Sequence, residues 1–297
     1  MTAVQKAYLA LVIATLSWGG NTVAGKFAVG HITPSMLTLS RWVLAVTLIF
    51  AISVPQLKRD WPVLRQHIPL LIGYGAIGFT GFNFFLYSAL QYTSAVNAAI
   101  EQAGIPMLIF VLNYILFRTR VAAAQIVGFA LTLVGVAVTA SHGDLMRLVN
   151  LTVNFGDGLM LVCVIIYAGY TVALRWKPQL HWKSMMAATA VGALLASIPV
   201  AAWEISRVGV QWPDTRGWGI AVFAGIFPSL VSQILFIKGV EGIGPNRAGL
   251  FINMIPAFAT ILSIAILGER LELFHIVAIV LVLAGIAIAE WRRKQPV

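Results

Sequence analysis

The sequence predicts an all-α integral membrane protein with ten transmembrane helices, built as two inverted repeats of five helices. Three observations support this fold class. Hydrophobic residues make up 60% of the 297 residues and charged residues only 10%, whereas soluble proteins contain about 25% charged residues. Apolar segments of roughly 17–25 residues, the length that crosses a bilayer, recur along the chain. The stretch 91–137 also recurs 150 residues later without a gap.

The repeat places prolines at matching positions in two long apolar segments. Pro256 aligns with Pro106, and Gly285 aligns with Gly135. A proline inside a helix cannot donate its backbone hydrogen bond, and its ring clashes with the carbonyl four residues earlier. Each repeat is therefore expected to contain a broken helix. Paired breaks of this kind mark the place where membrane transporters hold their cargo, so we interpret Pro106 and Pro256 as gating hinges.

The apolar segments divide the chain into two halves of five spans each. The first repeat covers 1–142, a linker covers 143–155, and the second repeat covers 156–297. The predicted spans lie at about 7–28, 34–54, 68–90, 93–116, 121–140, 156–175, 184–203, 217–238, 246–267 and 272–290.

The odd number of spans in each repeat determines their relative orientation. The second repeat must begin on the opposite side of the membrane from the first, so the repeats are inverted. With the N-terminus inside, cytoplasmic segments hold 14 of the 20 Lys and Arg residues, outer segments hold 5, and Arg41 lies within a span. Cytoplasmic loops collect Lys and Arg, so both termini are predicted to be cytoplasmic. Topology thereby accounts for the net charge of +10, and no nucleic-acid partner is expected.

The sequence does not indicate catalysis or a cofactor. Its single cysteine, Cys163, permits no intrachain disulfide. The five histidines are scattered near span ends without the spacing of metal ligands or of a catalytic triad, so neither a metal site nor an enzyme is predicted. Segment 73–78 matches the letters of a dinucleotide-binding fingerprint, but it opens a membrane helix and is interpreted as close packing.

Small residues recur at heptad spacing in the fifth and tenth spans. Gly128 and Gly135 lie in the fifth span, and Ala278 and Gly285 lie in the tenth. Small faces let helices approach closely in lipid. We predict that these two spans pack against each other as a scaffold. The alternative is chance spacing in a chain with 26 glycines.

Polar and aromatic side chains inside the spans are interpreted as the lining of a binding cavity, because an unpaired polar group in hydrocarbon is costly. Amides, hydroxyls and aromatic rings with few charges suit a small zwitterion or an amphipathic metabolite. For any one aromatic residue, packing or interfacial anchoring is the alternative. The residues assigned to substrate binding are Ser17, Trp18, Asn21, Phe79, Asn83, Tyr87, Gln102, Tyr167, Tyr170, Gln233 and Asn253.

Two charged residues inside spans have competing interpretations. Glu101 precedes the break at Pro106 and could couple transport to protons, or it could pair near the outer third of its span. Arg41 is expected to pair with a carboxylate or with helix-end carbonyl groups rather than to contact cargo.

Several stretches resemble one known family. They are residues 17–21 (Ser-Trp-Gly-Gly-Asn), 34–42, 87–95, and Pro256 followed by 267–270 (Leu-Gly-Glu-Arg). Over nearly its whole length the chain resembles the drug/metabolite transporter (DMT) superfamily, EamA type, and within it the bacterial aromatic amino-acid exporters of the YddG kind. The resemblance implies a central cavity formed by spans 1, 3, 4, 6, 8 and 9, with spans 5 and 10 behind. The first repeat has Phe-Arg-Thr-Arg at 117–120 and lacks the Gly-Glu pair, which puts symmetric gating in question.

These observations together predict a multi-pass transporter of the bacterial inner membrane, acting as a monomer without cofactors. It is expected to export aromatic and other neutral amino acids and related small metabolites by alternating access. The alternative is a proton-coupled multidrug or cationic-compound efflux transporter, which requires Glu101 in the cavity. An ion channel would show rings of charge or repeated carbonyl-filter segments, and the sequence shows neither.

Overall fold

The computed structural model describes residues 1–118, 123–144, 154–243, 248, 251–252 and 254–291. All regular structure in this part of the chain is helical, which confirms the predicted all-α class. The ten spans are α1 (Ala3–Phe27), α2 (Pro34–Leu64), α3 (Ile68–Ala89), α4 (Ala95–Phe117), α5 (Ala123–Ala140), α6 (Phe155–Trp176), α7 (Trp182–Val208), α8 (Thr215–Ile243), α9 (Ile255–Leu267) and α10 (Leu273–Trp291). Within the described residues, seven of these helices are long and apolar enough to cross a membrane, and α5, α9 and α10 are shorter apolar helices.

Helix α2 extends well beyond its predicted end at residue 54. It continues through Pro55 and Pro62 to Leu64. At its start, Pro34 occupies the first turn and the Thr33 hydroxyl accepts a hydrogen bond from the Met36 amide. The prediction stopped too early because it followed only the apolar stretch. A helix can continue into the polar interface, where water hydrates the carbonyls that a proline leaves unpaired.

The helix breaks predicted at the two prolines are present. Helix α4 consists of Ala95–Gln102 and Ile105–Phe117, joined by a turn, and Pro106 lies in the first turn of the second segment. Helix α9 begins at Ile255 and likewise carries Pro256 in its first turn. A proline is tolerated there because the first turn of a helix has no intrahelical partner for its N–H.

Helices α3 and α8 each contain a π-helical segment that the sequence did not predict. The segments are Gly75–Gly81 in α3 and Phe227–Val231 in α8. The repeat offset of 150 residues aligns Phe227–Val231 with residues 77–81, which are the last five residues of the π-helical segment in α3. A π turn widens the helix locally and changes the direction of its side chains, and such turns are frequent at functional sites.

The fifth and tenth spans pack against each other as predicted. A Cβ atom added to Gly135 would lie 2.8 Å from Val282 Cγ2 and 2.9 Å from the Ala278 carbonyl oxygen. A Cβ atom on Gly285 would lie 2.5 Å from the Gly128 carbonyl oxygen. The two backbones therefore approach closely, and α5 with α10 forms the predicted scaffold.

The structure agrees with the interpretation of segment 73–78 as a site of close helix packing. A Cβ atom on Gly75 would meet the Thr189 carbonyl oxygen, and one on Gly78 would meet the Tyr170 ring. Gly75 and Gly78 allow α3 to lie directly against α7 and α6, whereas a Cβ atom on Gly73 would have no atom within 4 Å.

Candidate substrate cavity

A cavity of about 760 Å³ lies between the two repeats. All six spans that the family resemblance implies contribute to its lining, and α2, α5, α7 and α10 contribute as well. The expectation that spans 5 and 10 lie entirely behind the cavity is therefore wrong, because Gln125 and Ile286 reach the lining. The lining runs from Trp18 and Asn21 in the middle of α1 to Asn113 in α4 and Leu174 in α6. The last two lie near helix ends that the predicted topology places in the cytoplasm. The volume falls within the roughly 300–1,000 Å³ typical of small-molecule sites.

Most of the residues assigned to substrate binding or hinges from the sequence lie together in this lining. They are Trp18, Asn21, Phe79, Asn83, Gln102, Pro106, Tyr167, Tyr170, Gln233 and Pro256. Their roles in binding and gating stay predictions.

Four other assigned residues do not lie in the described lining. Ser17 is absent from the lining, and its hydroxyl is buried without a hydrogen-bond partner among the described residues. Tyr87 is 2% exposed, and its ring packs in the core. Glu101 is completely buried outside the cavity. Asn253 lies outside the described residues.

The cavity wall between α1, α2 and α3 is organised by Arg41. Its Nη1 atom donates hydrogen bonds to Asn83 Oδ1 at 2.5 Å, Tyr87 Oη at 2.7 Å and Asn21 Oδ1 at 3.0 Å. Its Nε atom donates to Ser229 Oγ at 2.6 Å, within the π-helical segment of α8. The prediction that Arg41 pairs with a carboxylate or with helix-end carbonyl groups is therefore wrong. In the described part of the chain, neutral side-chain oxygens accept all the hydrogen bonds of Arg41.

Tyr87 contributes to the site through these residues rather than by direct contact. Its hydroxyl group donates a hydrogen bond to Asn21 Oδ1 at 2.8 Å and accepts one from Arg41. The Asn83 amide group donates to the Phe79 carbonyl oxygen at 2.6 Å, which orients its Oδ1 atom toward Arg41. The side-chain orientations in this cluster are thus mutually determined.

Aromatic rings form much of the remaining wall. Trp42 and Phe79 stack with centroids 4.9 Å apart and planes within 3°. Tyr170 lies 5.8 Å from Phe79 and 5.7 Å from Tyr167. These rings line one continuous apolar surface beside Arg41.

Trp18, also in the cavity lining, is held by the second repeat. Its Nε1 atom donates a hydrogen bond of 3.0 Å to the carbonyl oxygen of Pro228, in the π-helical segment of α8. Its ring lies 5.3 Å from the Phe236 ring. The unusual backbone of α8 therefore supplies the acceptor that positions this indole.

Glu101 is enclosed by protein on every side. It is 0% exposed, and neither carboxylate oxygen has a hydrogen-bond partner among the described residues. The Asp157 side chain nearby, on α6, accepts a hydrogen bond of 2.5 Å from Thr93. The direct cargo contact required by the cationic-efflux alternative is not present in this conformation.

The helix ends on the opposite side of the membrane from Asn113 are joined by polar contacts. Lys26 Nζ, at the end of α1, donates hydrogen bonds to the Leu90 and Thr93 carbonyl oxygens at 2.9 and 2.8 Å. Glu269 Oε1 accepts a hydrogen bond of 2.9 Å from the Ala95 amide, at the start of α4. These contacts close the end of the molecule that the predicted topology places outside.

Sequence reasoning missed several residues of the site. Arg41 was assigned a structural pairing, although its position inside a span was a signal for a site residue. Trp42, Ser229 and Phe236 also contribute, and no sequence pattern singled them out. Pro228 and Ser229 reach the site because they lie in the π-helical segment of α8. In a uniformly apolar helix, the sequence pattern does not show where such a segment occurs.

A cavity enclosed by two repeats with matching helix breaks defines the class of this protein as a membrane transporter. The model of the EamA-like transporter family matches residues 5–141 and 154–291. The chain belongs to this family, which confirms the EamA-type resemblance noted in the sequence. The likeness to aromatic amino-acid exporters stays a prediction.

Similar transporters occur in bacteria and archaea. The chain is 27% identical to "Uncharacterized transporter YyaM" of Bacillus subtilis over 95% of this chain and 93% of that protein. It is 25% identical to "Uncharacterized transporter YetK" of the same organism, over 98% and 88%. An "Uncharacterized transporter" of Archaeoglobus fulgidus is 24% identical over 97% and 100%. A protein of known crystal structure shares the fold, with a TM-score of 0.65, 23% identity, and coverage of 98% and 99%.

Proposed function

We propose that this transporter exports aromatic and other neutral amino acids, with related small metabolites, across the bacterial inner membrane as a monomer. The observation that carries the proposal is the chemistry of the cavity. Its described lining combines tryptophan, phenylalanine and tyrosine rings with six side-chain amides and contains no Asp, Glu or Lys residue. Aromatic rings can cover an apolar side chain, while amides can bind the polar groups of a zwitterion.

Alternating access is supported by the distribution of open and closed ends. The cavity extends toward Asn113 and Leu174, on the predicted cytoplasmic side. On the other side, Lys26 and Glu269 hold helix ends together. This arrangement suits a state that admits cargo from the cytoplasm. Rocking of the repeats about the breaks at Pro106 and Pro256 would then release the cargo outside.

The cavity chemistry does not favour the efflux of cations. Arg41 is the one charged residue in the described lining, and Glu101 lies outside it. A positively charged compound would meet a like charge in a low-dielectric site, which is unfavourable.

Counterflow into proteoliposomes tests the proposal. Purified protein is reconstituted into vesicles loaded with unlabelled amino acid, and uptake of labelled phenylalanine, threonine and methionine is followed with and without an imposed pH gradient. We expect exchange of phenylalanine and methionine above protein-free vesicles, and a cationic comparator such as tetraphenylphosphonium should not exchange. Failure to move any amino acid of the panel would contradict the proposal. Dependence on the gradient would make Glu101 the first residue to neutralise.

A further inference from the structure

Arg41 is a buried cation without an anionic partner. It is 5% exposed, and the salt bridges in the described part of the chain join only His31 to Asp214 and His142 to Asp157. Guanidinium groups remain protonated in proteins. Burying an unpaired charge in a low-dielectric interior costs several kcal/mol, so such a cation is normally paired.

The hydrogen bonds of Arg41 satisfy only one side of its guanidinium group. Nη1 contacts Asn21, Asn83 and Tyr87, and Nε contacts Ser229. No described residue accepts a hydrogen bond from Nη2. Arg41 lines the cavity, so its unpaired Nη2 donor belongs to a side chain that a bound molecule can reach.

The neutral partners of Arg41 hold the cation in place without neutralising it. They come from α1, α3 and α8, so helices of both repeats orient one guanidinium group. A preorganised cation with a free donor is suited to bind a carboxylate, which accepts charge-assisted hydrogen bonds from an arginine.

An apolar surface lies directly beside this cation. The Arg41 guanidinium carbon is 5.3 Å from the Trp42 ring centroid, and Trp42 stacks on Phe79. A molecule with its carboxylate at Arg41 can therefore place an apolar or aromatic group on the wall that Phe79 and Tyr170 continue.

We propose that Arg41 is the anion-binding residue of the cavity and pairs with the carboxylate of the transported molecule. This inference rests on the proposed function for its choice of cargo, but it makes a narrower statement: the carboxylate is required, and the ammonium group is not. Aromatic amino acids and aromatic carboxylic acids share this chemistry, and the test separates them.

Three ligands with the same ring isolate the two charges. Phenylalanine carries both charges, 3-phenylpropionate carries only the carboxylate, and phenethylamine carries only the ammonium group. Binding to purified wild-type protein is measured by quenching of tryptophan fluorescence, since Trp18 and Trp42 line the cavity. Phenylalanine and 3-phenylpropionate are expected to bind at least about tenfold more tightly than phenethylamine, the difference that hydrogen bonds to a charged group supply.

Variants of Arg41 locate the effect. Arg41→Gln is expected to weaken binding of both carboxylates about tenfold or more and to leave phenethylamine binding equal or tighter, because the variant removes a like charge. Arg41→Lys keeps the charge but loses the planar fork, so its affinity should be intermediate. Arg59→Gln is the matched control, because Arg59 is exposed on the same helix and should have no effect.

Two results would overturn the inference. One is wild-type protein that binds phenethylamine as tightly as the two carboxylates, or that binds neither carboxylate. The other is a folded Arg41→Gln protein with unchanged carboxylate affinity. If Arg41→Gln does not fold, the comparison of the three ligands on wild-type protein and on Arg41→Lys decides, and unchanged carboxylate affinity in Arg41→Lys would overturn the inference.

The same experiment separates this inference from the proposed function. Arg41-dependent binding of 3-phenylpropionate, without counterflow of any amino acid, would support the anion site and overturn amino-acid export. Amino-acid counterflow that is equal in wild type and Arg41→Gln would support export and overturn the anion site.

Discussion

The Glu269 carboxylate, just beyond the end of α9, accepts a hydrogen bond of 3.0 Å from the amide of Val96, 173 residues earlier in the chain. Its other oxygen accepts a hydrogen bond of 2.9 Å from the Ala95 amide. Both amides belong to the first turn of α4, where free N–H groups and the helix dipole favour a negative charge. The second repeat thus caps a helix of the first repeat at the closed end of the cavity.

Neutralising Glu269 is expected to loosen this closed end. A carboxylate at a helix N-terminus contributes about 0.3–1 kcal/mol, so Glu269→Gln should raise the population open to the outside roughly two- to fivefold. The measurement is labelling of Gln102→Cys from the outside by a membrane-impermeant maleimide, in a Cys163→Ala background. Glu241→Gln, exposed at the end of α8, is the control. Equal labelling of all three proteins would argue against the closure.

The fourth span of the first repeat ends at an arginine, where the second repeat has a glycine, and both residues adopt a positive φ. Arg118 aligns with Gly268 at the repeat offset of 150, and both residues are left-handed, with φ of 50° and 68°. A side chain is strained in this region by about 1–2 kcal/mol. We expect Gly268→Ala to lower the free energy of unfolding by about 1 kcal/mol and Arg118→Gly to raise it by up to about 1 kcal/mol. Unfolding in detergent measures both, and a less stable Arg118→Gly protein would contradict the expectation.

The contact between α5 and α10 can be tested at Gly285. A Cβ atom there would lie 2.5 Å from both the Gly128 carbonyl oxygen and Thr132 Oγ1, so Gly285→Ala should destabilise the protein by about 1–3 kcal/mol. Gly219→Ala in α8 is the matched control, since no atom lies within 4 Å of its added Cβ. Thermal unfolding in detergent should show a lower midpoint for the first variant alone, and similar midpoints for both would exclude tight packing.

The indole of Trp18 offers a test of the cavity wall. Trp18→Phe keeps an aromatic ring but removes the hydrogen bond to the Pro228 carbonyl oxygen. Loss of one such bond is worth about 1 kcal/mol, so KM for phenylalanine counterflow should rise about fivefold. Trp218→Phe, at an exposed position on α8, should leave KM unchanged. An unaltered KM in Trp18→Phe would remove Trp18 from the proposed site.

The start of α8 provides a pH-dependent contact outside the membrane. The Gly217 amide and the His31 side chain stabilise the Asp214 carboxylate and lower the pKa of Asp214. A lowered pKa means that the ionised cap stabilises the helix start above the ordinary aspartate pKa. This stabilisation is lost as the pH falls through the lowered pKa of Asp214.

Hydrogen exchange in the first turn of α8 checks this behaviour. We expect Asp214→Ala to increase exchange at neutral pH and the difference from wild type to shrink under acid. Asp214→Asn, which retains a capping oxygen, should be intermediate. A difference that is constant across the pH range would show that the charge of Asp214 makes no contribution.

The broad fold could be predicted because its determinants are short-range or periodic. Apolar segments of spanning length marked the helices, and Pro106 and Pro256 marked the breaks that begin their second segments. The matched small residues at Gly135 and Gly285 correctly predicted which two helices pack together. Each of these features acts through the backbone or through one helix face, so a local pattern in the chain records it.

The composition and repeat by themselves determined that this protein is a helical, multi-pass chain with paired helix breaks, because burial in lipid requires internal backbone hydrogen bonding. Only the tertiary structure decided the chemistry of the cavity. Arg41 meets Asn21, Asn83 and Ser229 across separations of 20, 42 and 188 residues. Such contacts depend on the rotation and depth of each packed helix, which apolar composition does not specify.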